Sequence, residues 1–175
     1  MGSLKKQIFR RNDKILTGTV KTIGMISLNS GNRQVLTDII FVGCDVRVAD
    51  ANGLTVIHHS IITGEPGILA QLLLNGGTTE MLVPLTGEMP LMMAARLGRL
   101  NVTIELLKNG ANVDARNLKG ETALMQAVLS DEGEISNLLI ESGCDATIRD
   151  NNGQLPINVA KLRNDPGVMQ YRMVF

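Results

Sequence analysis

Tryptophan is missing from this chain, tyrosine occurs once and phenylalanine three times. The core must therefore be built from Leu, Ile, Val, Met and Ala, a composition that favours close-packed helices, and there is little aromatic surface on which nucleic-acid bases could stack. Only two cysteines and two histidines are present, with no Cys-x-x-Cys or His-rich spacing, so a zinc site is not expected. No apolar run approaches the roughly 18 residues that a membrane helix requires. The longest candidate, residues 35–46, is interrupted by Asp38. The N-terminus lacks a signal-peptide core, because its charges continue past Lys14, and the expected setting is intracellular, cytoplasmic or nuclear. Phosphate-cradling runs of the Gly-x-Gly-x-x-Gly or Gly-Lys-Ser/Thr type are also absent.

Net charge is zero, with 17 basic against 17 acidic residues, but the charge is unevenly placed. Lys5, Lys6, Arg10, Arg11, Lys14 and Lys21 oppose only Asp13 near the start, whereas Glu121, Asp131, Glu132, Glu134, Glu141, Asp145 and Asp150 oppose only Arg149 further on. The chain should be electrostatically polar from end to end. At 44% apolar residues, its 175 positions are ample for a core.

Two glycine ladders organise the sequence. Gly53, Gly87, Gly120 and Gly153 are spaced by 34, 33 and 33 residues, and Gly43, Gly76, Gly110 and Gly143 by 33, 34 and 33. Between them, Thr55-Val56-Ile57-His58, Met89-Pro90-Leu91-Met92, Thr122-Ala123-Leu124-Met125 and Leu155-Pro156-Ile157-Asn158 fall in one phase. Leu72, Leu73, Leu106, Leu107, Leu138 and Leu139 precede the second ladder by three to five residues. Pro90 and Pro156 suit a first helical turn, where a missing N–H leaves no bond unmade, and Pro66 and Pro166 suit the start of second helices. Gly76, Gly110 and Gly143 follow leucine-rich segments where a left-handed C-cap is wanted. One helix–turn–helix unit leaves an apolar face bare, so neighbours must stack to bury it.

These features resemble the ankyrin-repeat family: the four-residue openings look like its Thr-Pro-Leu-His signature, and Gly110-Ala111-Asn112-Val113-Asp114 and Gly143-Cys144-Asp145 look like its Gly-Ala-Asp close. The resemblance implies an all-α ankyrin-repeat solenoid of about five helix–turn–helix units with projecting hairpin loops. The units run at about 17–49, 50–83, 84–116, 117–149 and 150–175, behind a basic capping segment at 1–16. The first and last are atypical. Val20 takes the glycine slot and Gly24 the leucine slot of the first, although Gly31, Val35, Ile39, Ile40, Gly43 and Asp45 hold its phase. Val168, Met169, Tyr171, Val174 and Phe175 can pack the last helix down, as Leu4, Ile8 and Ile15 can at the other end.

Catalytic and metal roles find little support. His58 and His59 are adjacent, so on a helix their side chains diverge. In the resemblance His58 takes the signature histidine slot, bonding to neighbouring loop backbone. Cys44 and Cys144 lie three units apart, and with helices packing at about 8–10 Å that is roughly 25–30 Å, beyond the ~7 Å reach of a disulfide. Asp131, Glu132 and Glu134 fall where a second helix should begin and favourably meet its dipole, so they read as helix-start charges in preference to a general acid or base. No enzyme activity, cofactor or metal is expected.

The family's usual recognition surface is the concave face of loop tips and exposed first helices. By count from each ladder glycine, the resemblance places Asn52, Leu54 and Ile62 there in the second unit, and Leu85, Glu88, Arg96 and Leu97 in the third. Leu118, Lys119, Glu121 and Leu129 follow in the fourth, and Asn151, Asn152 and Arg163 in the fifth. Leu or Ile recurs at slots that stacking does not need to bury. The implied partner is a protein segment, extended or helical, with hydrophobic anchors and acidic flanks. The bland alternative is that these leucines cover their own loops.

No specific nucleic-acid binding is expected, and the basic N-terminus is read as a solvated cap in preference to a contact with an anionic membrane surface. The leading function is a non-catalytic interaction module. The alternatives are a regulatory or targeting part of a larger, enzymatic protein and, third, a small-ligand sensor. The connection from Gly77 to Thr86 is one residue longer than its counterparts. It reads either as a tolerated insertion or as a finger pushed toward the partner.

Overall fold

Short apolar runs punctuated by Thr, Pro and Gly fold into paired helices. The computed structural model describes residues 46–158. The basic segment 1–16, the first repeat apart from its last four residues, Cys44, Arg163, Pro166 and the C-terminal apolar cap lie outside the described residues. The chain divides into two units, residues 1–77 and 78–175, which are taken in turn.

In the first unit, α1 (Val56–Thr63) and α2 (Pro66–Leu74) pack as a pair. Thr55 holds the extended conformation of an N-cap, and its backbone N–H donates to His58 Nδ1 at 3.0 Å in a buried capping box. The ring nitrogen thus serves the start of its own helix. Gly64, at φ 75°, closes α1 by donating its N–H to the carbonyls of Ser60 and Ile61. Pro66 begins α2, where its missing N–H leaves nothing unmade. Ile57 and Ile61 of α1 meet Leu69 and Leu72 of α2 in the core of the pair, all fully buried.

The second unit repeats this design. It contains α3 (Pro90–Arg96), α4 (Leu100–Lys108), α5 (Ala123–Leu129) and α6 (Gly133–Glu141), and residues 156–158 begin a further helical turn. Within each pair α3 packs on α4 and α5 on α6, and between pairs α3 packs on α5 and α4 on α6. Ala94, Ala95 and Ala127, fully buried, keep α3 and α5 close. Leu106 and Leu139 seal the second helices, each such burial contributing about 1.5–3 kcal/mol. Thr103 and Ser136 are buried hydroxyls in the same helices, and each donates back to a carbonyl one turn earlier, Arg99 at 3.0 Å and Glu132 at 2.9 Å. Glu134 lies in the first turn of α6, as the sequence predicts for a charge meeting the helix dipole.

The link from first to second helix always requires a left-handed residue. Gly64 and Gly98 fill it in two pairs, but Asp131, at φ 63°, fills it in the third and is the single non-glycine with positive φ among the described residues. A left-handed L-residue costs roughly 1–2 kcal/mol, less for Asp, against a glycine entropy cost of about 0.5–1 kcal/mol. Asp131→Gly is therefore expected to leave stability equal or raised by up to about 0.5 kcal/mol, whereas Asp131→Val should lower it. A urea titration of the three proteins checks this, and a loss in the glycine variant would show that the Asp131 carboxylate supplies a compensating bond.

Candidate functional site

The hairpins between helix pairs are built on a repeated Asx turn. In the first unit Asp50 Oδ1 accepts the N–H groups of Asn52 and Leu54 at 2.8 and 2.9 Å, while Asp50 and Leu54 bond through the backbone. In the second unit Asn117 Oδ1 does the same for Lys119 and Glu121, and Asp150 Oδ1 for Asn152 and Gln154. Each acceptor stands three residues before a ladder glycine. Burial tends to raise the Asp50 carboxyl, but the Leu54 amide, the His59 ring at 3.1 Å and the Asn52 amide outweigh it and hold the group below its usual value. His59 is thus engaged with a carboxylate of the turn.

Val83 interrupts the pattern. The third finger closes by an isolated antiparallel bridge between Val83 and Glu88, with the N–H groups of Thr86 and Gly87 both donating to Val83 O. This hairpin spans one residue more than the 50–54, 117–121 and 150–154 turns, so the extra residue of the Gly77–Thr86 connection is spent at the tip. Pro84, Leu85 and Thr86 stand there exposed, and Leu85 is 82% exposed.

Successive fingers of the second unit are laced together. Leu118 N–H donates to Thr86 O at 3.1 Å, and Asn151 N–H to Lys119 O at 2.9 Å. Asn151 Nδ2 adds a bond to Leu118 O, and Arg116 bridges Gly120 O and Arg149 O. Arg149 repeats the first of these contacts by donating to Gly153 O. The Leu118 side chain lies over Gly87, where an added Cβ would stand 2.9 Å from Leu118 Cγ, yet Leu118 remains 67% exposed. It covers a neighbouring finger and still faces solvent.

The other residues singled out from sequence divide into two kinds. Leu129 is 38% exposed at the end of α5, and Lys119 is exposed at its tip, whereas Leu97 is half-buried. Glu88 is only 8% exposed, and its two oxygens accept from Arg96 Nε at 2.7 Å and Nη2 at 3.1 Å. That bidentate pair, opposed in part by burial, raises Arg96 above its ordinary value. Glu121 Oε2 accepts from Asn117 and Gln126, so this carboxylate also serves its own finger. In the first unit Leu54 is half-buried under its turn and Ile62 is partly exposed on α1.

The roles of Arg116, Asn117, Arg149 and Asp150 were missed in the sequence, although Arg-Asn/Asp at four and three residues before Gly120 and Gly153 is a visible repeat. Among the described residues no group of three His, Cys, Asp or Glu side chains is placed to hold a metal. Burial, with Asp114 and Asp145 nearby, pushes the Cys144 thiol up to about 12, so it is a poor nucleophile at neutral pH.

The family profile for ankyrin repeats in three copies matches residues 24–117, 69–150 and 91–171. The chain belongs to the ankyrin-repeat family. An ankyrin repeat-containing protein of Treponema pallidum is 30% identical over 136 residues, which are 78% of this chain and 46% of that protein. The B-cell lymphoma 3 protein homolog of Mus musculus is 30% identical over 74% of this chain and 29% of its own length. A Danio rerio protein named as a palmitoyltransferase is 28% identical over 70% of this chain and 19% of its own length. The ankyrin chain thus spans less than half the length of each of these relatives. No helix among its described residues is long and apolar enough to cross a membrane.

Proposed function

We propose that this ankyrin chain is a protein-interaction module with no reaction of its own, and that its second unit holds a partner segment on the finger tips. Ankyrin repeats are generally protein-interaction modules. The observation that carries the finer reading is the pair Leu85 and Leu118, large apolar side chains left exposed on fingers that are rigidly laced by hydrogen bonds. Leu129, partly exposed at the end of α5, is a further apolar side chain of the same repeat, and Lys119 supplies a cation for an acidic flank of the partner. Glu88 is committed to Arg96 and is a support for the surface instead of a contact.

The test is affinity capture of partners by the whole chain beside a Leu85→Ser, Leu118→Ser variant. Two anchors of this kind, at about 1–2 kcal/mol each, should weaken capture at least ~10-fold, with thermal melting displaced little because both side chains are exposed. Undiminished capture by the variant would sink the assignment. Leu97 is left untouched because it is half-buried, and its replacement would confuse binding with stability.

A second reading is favoured by the shares of the relatives' lengths: the match to this chain covers 19% of a protein named as a palmitoyltransferase, so the matching segment sits in a larger context there. On this reading the module positions or regulates a catalytic region carried elsewhere in its own polypeptide. The complete reading frame around this sequence separates the two.

A further inference from the structure

The dipeptide Asn-Gly occurs four times, at 52–53, 75–76, 109–110 and 152–153. It is the pair most prone to intramolecular attack on an asparagine side chain, because glycine has no side chain to shield its amide nitrogen. The nitrogen attacks Asn Cγ, the new N–C bond forms as the Cγ–Nδ2 bond breaks, and ammonia leaves with the amide proton. Water then opens the cyclic imide to aspartate or isoaspartate, so the net change is asparagine plus water to an acid plus ammonia.

All four sites are exposed to solvent at the asparagine, and all four glycine N–H groups are bonded, to Asp50 O, Leu73 O, Leu107 O and Asp150 O. Exposure and the glycine N–H bond therefore do not distinguish them. The side chains do. Asn75 and Asn109 are the C-caps of α2 and α4, and each folds back to donate Nδ2 to a carbonyl one turn earlier, Gln71 and Glu105, both at 2.8 Å. Asn109 Nδ2 is held a second time by Glu105 Oε1 at 3.0 Å. Ser142, the C-cap of α6, makes the same return bond with its hydroxyl to Leu138 O, so the clasp belongs to the architecture and is not an accident of one site. At the finger tips Asn152 Nδ2 has only a long contact of 3.4 Å to Asp150 Oδ2. Among the described residues the Asn52 side-chain amide makes no hydrogen bond, its backbone N–H alone being bonded to Asp50.

We infer that Asn52 and Asn152 are sites of spontaneous deamidation, and that the fold protects Asn75 and Asn109 in the same dipeptide by clasping their side chains. Each conversion delivers a negative charge to a finger tip. At position 152 the new carboxylate stands beside Asp150, and the isoaspartyl product inserts a methylene into the hairpin that Asp150 and Gln154 close. The second unit thus carries, at position 152, a slow, enzyme-independent change of charge on the finger whose Asn151 N–H is bonded to Lys119 O.

The test incubates the full chain at mildly alkaline pH, in native buffer and in denaturing urea, and follows the four dipeptides by peptide mapping for a gain of about one mass unit. In native buffer Asn52 and Asn152 should convert about tenfold faster than Asn75, with Asn109 slower again, since each retained side-chain bond must open first. In urea the four rates should converge. Glu105→Ala should bring Asn109 up toward the rate of Asn75 and leave the other three unchanged. If Asn75 and Asn109 keep pace with the tips in native buffer, or if the same ranking persists in urea, the inference is overturned.

Discussion

Gly120→Ala is expected to destabilise the second unit by about 2–4 kcal/mol, far more than the addition of one methyl group at an ordinary loop position. Gly120 has φ 76°, a conformation that L-residues leave largely to glycine. A Cβ there would collide with Asn151 Oδ1 and Arg116 Nη2 and would stand 2.9 Å from the backbone nitrogen of Asn151. Side chains can swing away, but that nitrogen is fixed by its bond to Lys119 O. The Arg116 bridge to Arg149 O would be displaced as well. Gly110→Ala is the matched control, with φ 77° and nothing within 4 Å of the added carbon. It should cost only the conformational term, about 1 kcal/mol. Urea titrations of the two variants that gave equal losses would show that the lacing between fingers carries no stability.

Leu106→Ala should cost about 3 kcal/mol, within the 2–5 kcal/mol found for fully buried leucines. Leu106 is fully buried on α4, a helix that packs against both α3 and α6. The hole left behind is shared between two helix pairs, so neither can close over it alone. Coupling between neighbouring repeats makes this loss felt by the whole unit instead of one turn of helix. Against a domain stability of about 5–15 kcal/mol it is a large fraction. Leu107→Ala, next along the same helix but half-buried, should cost less than about 1 kcal/mol by the smaller area withdrawn from water. A fall at Leu106 no larger than that at Leu107 would contradict the inward register assigned to α4.

The helix pairs were legible in the sequence because backbone chemistry forces the marks that reveal them. Left-handed caps select glycine at Gly76, Gly110 and Gly143, first turns admit Pro66 and Pro90, and close-packed faces select Ala94, Ala95 and Ala127. Such positions tolerate few residue types, so repetition leaves a readable ladder. The finger turns were harder to read, because Asp and Asn are common surface residues and nothing in Asn117 taken alone announces that its carbonyl closes a turn. Glu88 was equally opaque as a site residue. A charge in a string of letters gives no sign that a guanidinium eight positions later will neutralise and cover it. The extra residue near Thr86 was visible as a count, but only the bond from Gly87 N–H to Val83 O shows that it falls at the tip. Leu85 and Leu118 were visible as apolar residues in slots that stacking leaves open, and the structure places both in solvent.

Within each of the last two fingers the labour is split between adjacent residues. Arg116 with Asn117, and Arg149 with Asp150, hold the turn, chiefly through backbone groups, while Leu118 with Lys119, and Asn151 with Asn152, occupy the tip. Backbone N–H donors are indifferent to the side chains of the residues that carry them, so Lys119 and Asn152 can be exchanged without rewriting the turn. Residues at these tips can therefore be varied while the frame stays constant, which makes the hairpins a ready host for grafted sequences.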